Sequence, residues 1–280
     1  MIGSYSKEGG VFMIEAIRKL ALGFQLVYTG MLIIVIGVVV GLMSGIALPF
    51  AVQGGYIPVE AMMQLMGILP IAMAACMLIG YIMGIAGRYI CTQTPEIAGK
   101  ARADIRTSFS LEMTGFILNM ANSLWPFLLP TLASIGILPE SPSLVAGVYS
   151  VISVIGFIVG ISSILYFVMY MRDLAGFVGS DDLSMRSEKL RRSIVSMLRL
   201  SLVTAAIAVA MLIVGLMANP DLAIVFGAMG CALGLLYIVI LVQGIFVFFR
   251  YVSIVVAMPA VLKAYDGPTD EQNGPGAIIA

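Results

Sequence analysis

Six long apolar runs divided by short polar interruptions organise this chain: about Leu22 to Ala47, Gln64 to Gly87, Leu111 to Leu138, Leu144 to Met171, Met197 to Ala218, and Leu222 to Phe249. A helix crossing the hydrocarbon layer needs about 20 apolar residues, and each run reaches that length. The pattern predicts an all-α fold, a polytopic transmembrane helix bundle of six spans. The last run is the ambiguous one, because Leu222 to Leu262 is interrupted only by Arg250 and could be cut into two spans hinged near Gln243 and Gly244. Division would leave Arg250 in lipid at a cost of at least ~2.5 kcal/mol. One long tilted helix is therefore expected, with Arg250 at the interface and an apolar stub ending near Pro259.

The basic residues orient these spans. All 15 Lys and Arg fall in four clusters: Lys7, Arg18 and Lys19; Arg88, Lys100, Arg102 and Arg106; Arg172, Arg186, Lys189, Arg191, Arg192 and Arg199; then Arg250 and Lys263. The interruptions Ala51 to Ala61, Pro139 to Ser143 and Asn219 to Asp221 have none. Basic residues near span ends are retained in the cytoplasm, so both termini and the two long connections are expected there. Residues 1–21 are read as a cytoplasmic N-terminus whose stretch Val11 to Leu20 is an interfacial helix, residues 22–263 as one transmembrane domain, and residues 264–280 as a disordered cytoplasmic tail. The first run is too long for a signal-peptide core.

Two connections carry helix-start signals. Thr94, Pro95 and Glu96 supply a hydroxyl cap, a first-turn proline and an acid at the positive end of the dipole; Ser180, Asp181 and Asp182 do the same after Gly179. Each start runs without a breaker through a basic amphipathic stretch into the next span. Spans 3 and 5 should thus have cytoplasmic helical extensions, and the two hairpins, about 85 residues apart, resemble a degenerate parallel repeat.

Composition narrows the chemistry. With 61% hydrophobic and 11% charged residues over 280 positions, a water-soluble domain would lack polar surface. The formal net charge is zero, which gives no reason to expect nucleic acid. Histidine is absent, removing the commonest metal ligand and proton shuttle. Cys76, Cys91 and Cys231 have neither framework nor ligand spacing, and the 20 methionines form no stripe, so no cofactor or metal is expected. No phosphate loop, nucleophile elbow or carboxylate pair is present. Trp125, Tyr56, Tyr149, Tyr166 and Tyr170 are read as interfacial anchors.

Two groups of residues stand out. Asn119, Asn122 and Ser123 share a face of the third span, with Glu112 one heptad earlier on the same side. Downstream, Pro126 and Pro130 free carbonyls. The cluster is either a polar pocket in a loosened helix or hydrogen-bonding glue between helices, the latter needing no ligand. Glycines spaced by four allow close helix approach, and Gly37, Gly41 and Gly45 of the first span are the candidate interface with another subunit. Shorter strips are Gly80 and Gly84, Gly156 and Gly160, and Gly230 and Gly234.

The segments LGFQLVYTGMLIIVIGVVV, GRYICTQTPEIAGKARADIRTS and SSILYFVMYMRDLAGFVGSDDLSMRSEKLRRS resemble a group of uncharacterised bacterial inner-membrane proteins. The resemblance implies a multi-pass protein of the bacterial inner membrane and brings no activity or functional residue with it. The expected function is non-catalytic: a packing, scaffold or accessory subunit of a membrane assembly, partnered by lipids and by other subunits or its own copies. The alternative is a transporter or channel-like protein for a small neutral or lipidic solute.

Overall fold

The computed structural model describes residues 5–134, 142–217 and 223–265, with side chains for 13–96, 98–121, 152–204, 206–207, 234–236 and 238–265. Six helices account for nearly all of it: α1 (Tyr5–Gln53), α2 (Val59–Cys91), α3 (Gly99–Ser134), α4 (Pro142–Phe177), α5 (Asp181–Met217) and α6 (Ala223–Lys263). They run alternately up and down, and the four basic clusters gather at one end of the bundle, here called the basic end. Each segment is helical because its apolar residues cannot leave backbone groups unpaired in lipid. Among the described residues, four segments are long and apolar enough to cross a membrane: Met13–Gln53, Val59–Cys91, Ile152–Phe177 and Gly234–Lys263. The protein is a helical membrane protein.

The helices form a ring. α1 packs along α2 on one side and α6 on the other, α4 lies between α3 and α5, and α5 touches α6. Only α2 and α3 meet sparingly. α6 is a single helix through Gly244 and continues beyond Pro259, so the division into two spans does not occur and the proline does not end the helix. α1 is likewise unbroken from Tyr5. Its stretch from Val11 to Leu20 is no separate interfacial helix: Ile17 and Leu20 are fully buried in the core. The chain stays packed through Tyr265, which is buried beside Phe177, whereas residues 266–280 of the expected tail lie outside the described residues.

The turns follow local chemistry. Gly179, at φ +77°, ends α4: its N–H and that of Ser180 bond back to Gly176 and Ala175 carbonyls, a left-handed closure that glycine makes without a Cβ penalty. Asp181 and Asp182 then occupy the first turn of α5. The other start differs from expectation. The Thr94 hydroxyl does not cap forward; it donates to the Cys91 carbonyl at 2.6 Å, stands 3.1 Å from the Tyr170 hydroxyl, and leaves a short 3-10 turn, Glu96–Ala98, before α3.

Among the described residues the apolar core lies at the basic end. It combines Leu20 and Phe24 of α1, Ile105 of α3, Phe167, Tyr170 and Leu174 of α4, Leu190 of α5, and Val255 and Met258 of α6. Phe24, Phe167 and Tyr170 have ring centroids within 5.9 Å of one another. Tyr170 is therefore a core residue and not an interfacial anchor. Tyr56 is exposed in the α1–α2 turn, as an anchor would be, while Trp125 and Tyr149 carry side chains outside the described residues.

Beyond Val27 every fully buried residue of α1 is a glycine: Gly30, Gly37 and Gly41. They face α2. A Cβ on Gly23 would lie 2.7 Å from the Gly87 carbonyl oxygen, and one on Gly80 2.5 Å from that of Gly30; a Cβ on Gly37 would lie 2.8 Å from Cys76, and one on Gly41 would collide with Met73. In this antiparallel pair the closest backbone approaches recur every seven residues. Gly37 and Gly41 are thus spent inside the monomer, which corrects the expected subunit interface; Gly45, with nothing near its Cβ position, is the one member left open.

Candidate functional site

Where the ring encloses space, just above the core, all six helices line a cavity of about 330 Å³. Its walls are apolar: Val27, Met31 and Ile34 from α1, Ile161 and Ile164 from α4, Ile194 and Met197 from α5, and Val247 and Phe248 from α6, with Gly80, Gly84 and Gly244 leaving room. Three polar or charged side chains, Arg88, Glu112 and Tyr251, join this lining together with Tyr81.

Arg88 lies one turn inside the end of α2, and Glu112 lies on α3, at the level where the third apolar run begins. The two form an ion pair, with side-chain exposures of 7% and 15%. Ser163 of α4 completes it: its hydroxyl accepts from Arg88 Nη1 at 2.8 Å and donates to Glu112 Oε2 at 2.8 Å, with the Ser108 carbonyl an alternative acceptor at 3.0 Å. Ser108 returns a bond to the Ser163 carbonyl at 2.9 Å, fixing the register of α3 on α4. The guanidinium also lies over the Phe167 ring, 5.0 Å from its centroid. A buried ion pair persists only when its remaining donors and acceptors are engaged. Here one is not: Arg88 Nε is buried with no hydrogen-bond partner among the described residues.

Tyr81 reaches from α2 across to α3. Its ring stacks on Phe116 with centroids 5.5 Å apart, and its hydroxyl faces Glu112 and Asn119. The expected face of α3 is in this way half engaged: Glu112 joins Arg88, and Asn119 meets Tyr81. Asn122 and Ser123 lie within α3, but their side chains fall outside the described residues. The larger correction concerns charge. Arg88 reads from sequence as one of a cytoplasmic basic cluster, yet the guanidinium is turned into the bundle. Arg88 and Tyr251 carry no signal because each sits just beyond the end of its run, where a polar residue is ordinarily solvated, and Ser163 is a lone hydroxyl inside its run.

Chemically, the arrangement is an apolar chamber with a neutralised polar floor of Arg88, Glu112 and Tyr251. Among the described residues no group of three or more His, Cys, Asp or Glu is placed to hold a metal. No family model, no curated protein and no solved structure matches this chain.

Proposed function

We propose that this chain is a six-span protein of the bacterial inner membrane, both termini cytoplasmic, that binds a small amphiphile inside its bundle and serves as a carrier or holding site for it. The observation that carries this reading is the cavity shared by all six helices, apolar on its walls and polar at Arg88 and Glu112. Its volume falls in the range of small-molecule sites. A hydrocarbon tail fits the walls, and an ester, amide or hydroxyl group fits the polar floor of Arg88, Glu112 and Tyr251. Because the ion pair is internally neutral, a neutral polar end is favoured over a second charge.

A scaffold or accessory subunit needs a shared apolar face, and the first-span glycines that would have supplied one are largely turned toward α2. The two readings part on ligand occupancy. Protein purified in mild detergent should retain an extractable amphiphile, identified by mass spectrometry. Gly84→Leu projects a side chain from a cavity-lining position with nothing within 4 Å of its Cβ, so it should fold normally and lose that molecule at least tenfold. Equal retention by the variant, or no bound amphiphile in either protein, would return the function to scaffolding.

A further inference from the structure

A second feature lies outside the cavity, on the outer seam between α5 and α6. Two adjoining grooves share Arg192, Ser193 and Arg250; one continues to Arg186 and Lys189, the other to Gln243 and Phe246. Cations outnumber acids here. Arg250 donates to the Ser193 hydroxyl at 3.1 Å and has no carboxylate partner among the described residues. Arg192 bonds Glu188, but that carboxylate is divided among three guanidiniums, Arg172, Arg191 and Arg192. Arg186 pairs with Asp182, and Lys189 adds a further cation with no carboxylate partner among the described residues.

Position matters as much as charge. On α6 the exposed apolar face of Leu241, Ile245, Phe246 and Phe249 runs directly into Arg250. In a membrane protein this is the depth at which acyl chains give way to headgroups. Arginines present planar N–H pairs suited to a phosphate, and serine hydroxyls beside them add donors. Basic pockets between spans on the side facing an anionic leaflet are built this way.

We infer that the α5–α6 groove holds the headgroup of an anionic phospholipid, its phosphodiester on Arg192 and Arg250 and its acyl chains along Phe246. The inference is independent of the cavity. The full chain should be reconstituted in phosphatidylcholine nanodiscs with and without 20% phosphatidylglycerol, and both its thermal midpoint and its retained lipids in native mass spectra should be measured. The wild-type protein should gain several degrees with the anionic lipid and retain it in preference to phosphatidylcholine. Arg192→Gln with Arg250→Gln should lose most of that gain while keeping its midpoint in phosphatidylcholine alone. Lys19→Gln with Lys100→Gln removes two cations from the same end outside the groove and should keep the gain. Equal retention of the two lipids by the wild type, or equal loss in both double variants, would overturn the site. Should the groove variant fail to fold, the wild-type retention ratio and Arg250→Lys, expected to keep the gain, decide the matter. The same midpoint gain from millimolar glycerol phosphate in phosphatidylcholine discs would assign the groove to a soluble phosphate ester and overturn the lipid.

Discussion

Arg88 and Glu112 form an ion pair between α2 and α3, the one pair of successive helices in the ring that otherwise meets sparingly. The pair therefore closes the ring at that seam, with Tyr81 on Phe116 and Tyr89 near Phe109 as the accompanying aromatic contacts.

Removing one partner should be far worse than removing both. Glu112→Leu leaves a buried guanidinium unpaired and is expected to cost about 3–5 kcal/mol, whereas Arg88→Met with Glu112→Leu leaves no charge to satisfy and should recover most of the loss. Unfolding of the two singles and the double in detergent gives the coupling. Additive losses would show that the pair does not hold the seam.

The glycine seam makes a positional prediction. Gly80→Ala sets a methyl against the Gly30 carbonyl and should lower stability by about 1–3 kcal/mol. Gly45→Ala meets nothing and should be neutral, or stabilising by up to ~1 kcal/mol through helix propensity. Thermal melts of the two variants, read beside their oligomeric size, check both the register and the inward assignment of the strip.

Much of this was legible in the sequence, and the part that was not has physical reasons. Apolar run length showed the helices and the Gly54–Pro58 turn region, because lipid permits no other backbone arrangement. The glycine seam extends beyond the four-spaced strip Gly37, Gly41 and Gly45, because the backbone approaches of the antiparallel pair fall at Gly23 against Gly87 and Gly30 against Gly80, seven residues apart. Arg88 reads as one of a cytoplasmic cluster because a charge one turn from a helix end is as well placed to reach water as to reach a partner. Nothing in one sequence says that Glu112, 24 residues later, sits at the same depth on the facing helix. The α5–α6 groove was half visible: its cations were counted, but only the fold brings Arg192 and Arg250 to one seam.

Two carboxylates at the basic end predict opposite pH responses. Arg191, followed by Arg192 and Arg172, holds the Glu188 carboxyl well below its ordinary 4.5. Its stabilisation is present above that value and is lost as pH falls toward the lowered one. Glu188→Gln should cost about 1 kcal/mol at pH 7, the group being partly solvated, and the difference from wild type should shrink below about pH 4.

Asp104 behaves the other way. Burial, reinforced by Asp173 and opposed by Lys100 and Arg172, raises its carboxyl above the ordinary 3.8. A raised acid favours the folded state only while protonated, so that contribution is complete below pH 3.8 and lost as pH climbs through the raised value. Asp104→Asn should accordingly be as stable as wild type in acid and more stable at neutral pH. Lower stability of the variant at pH 7 would show that the ionised carboxylate is held by its cationic neighbours.

Orientation is checked by impermeant thiol labelling in a background lacking Cys76, Cys91 and Cys231. A cysteine replacing Glu60 should react in intact cells, and cysteines replacing Lys100 or Lys189 should react only after lysis. Labelling of either lysine position from outside would reverse the topology.

Among the described residues, the buried apolar side chains of α1 end at Val27, and this gives the α1–α2 hairpin leverage. From Val27, the last core side chain of α1, to Gln53 is 53 − 27 = 26 residues, about 39 Å of helix, so each degree of tilt about the packed end displaces the far turn by roughly 0.7 Å. A bilayer that thickens or thins by a few ångströms is matched by a tilt of a few degrees of the glycine-packed pair as a unit, while the packing of Phe24, Phe167 and Tyr170 at the fulcrum is left as it was.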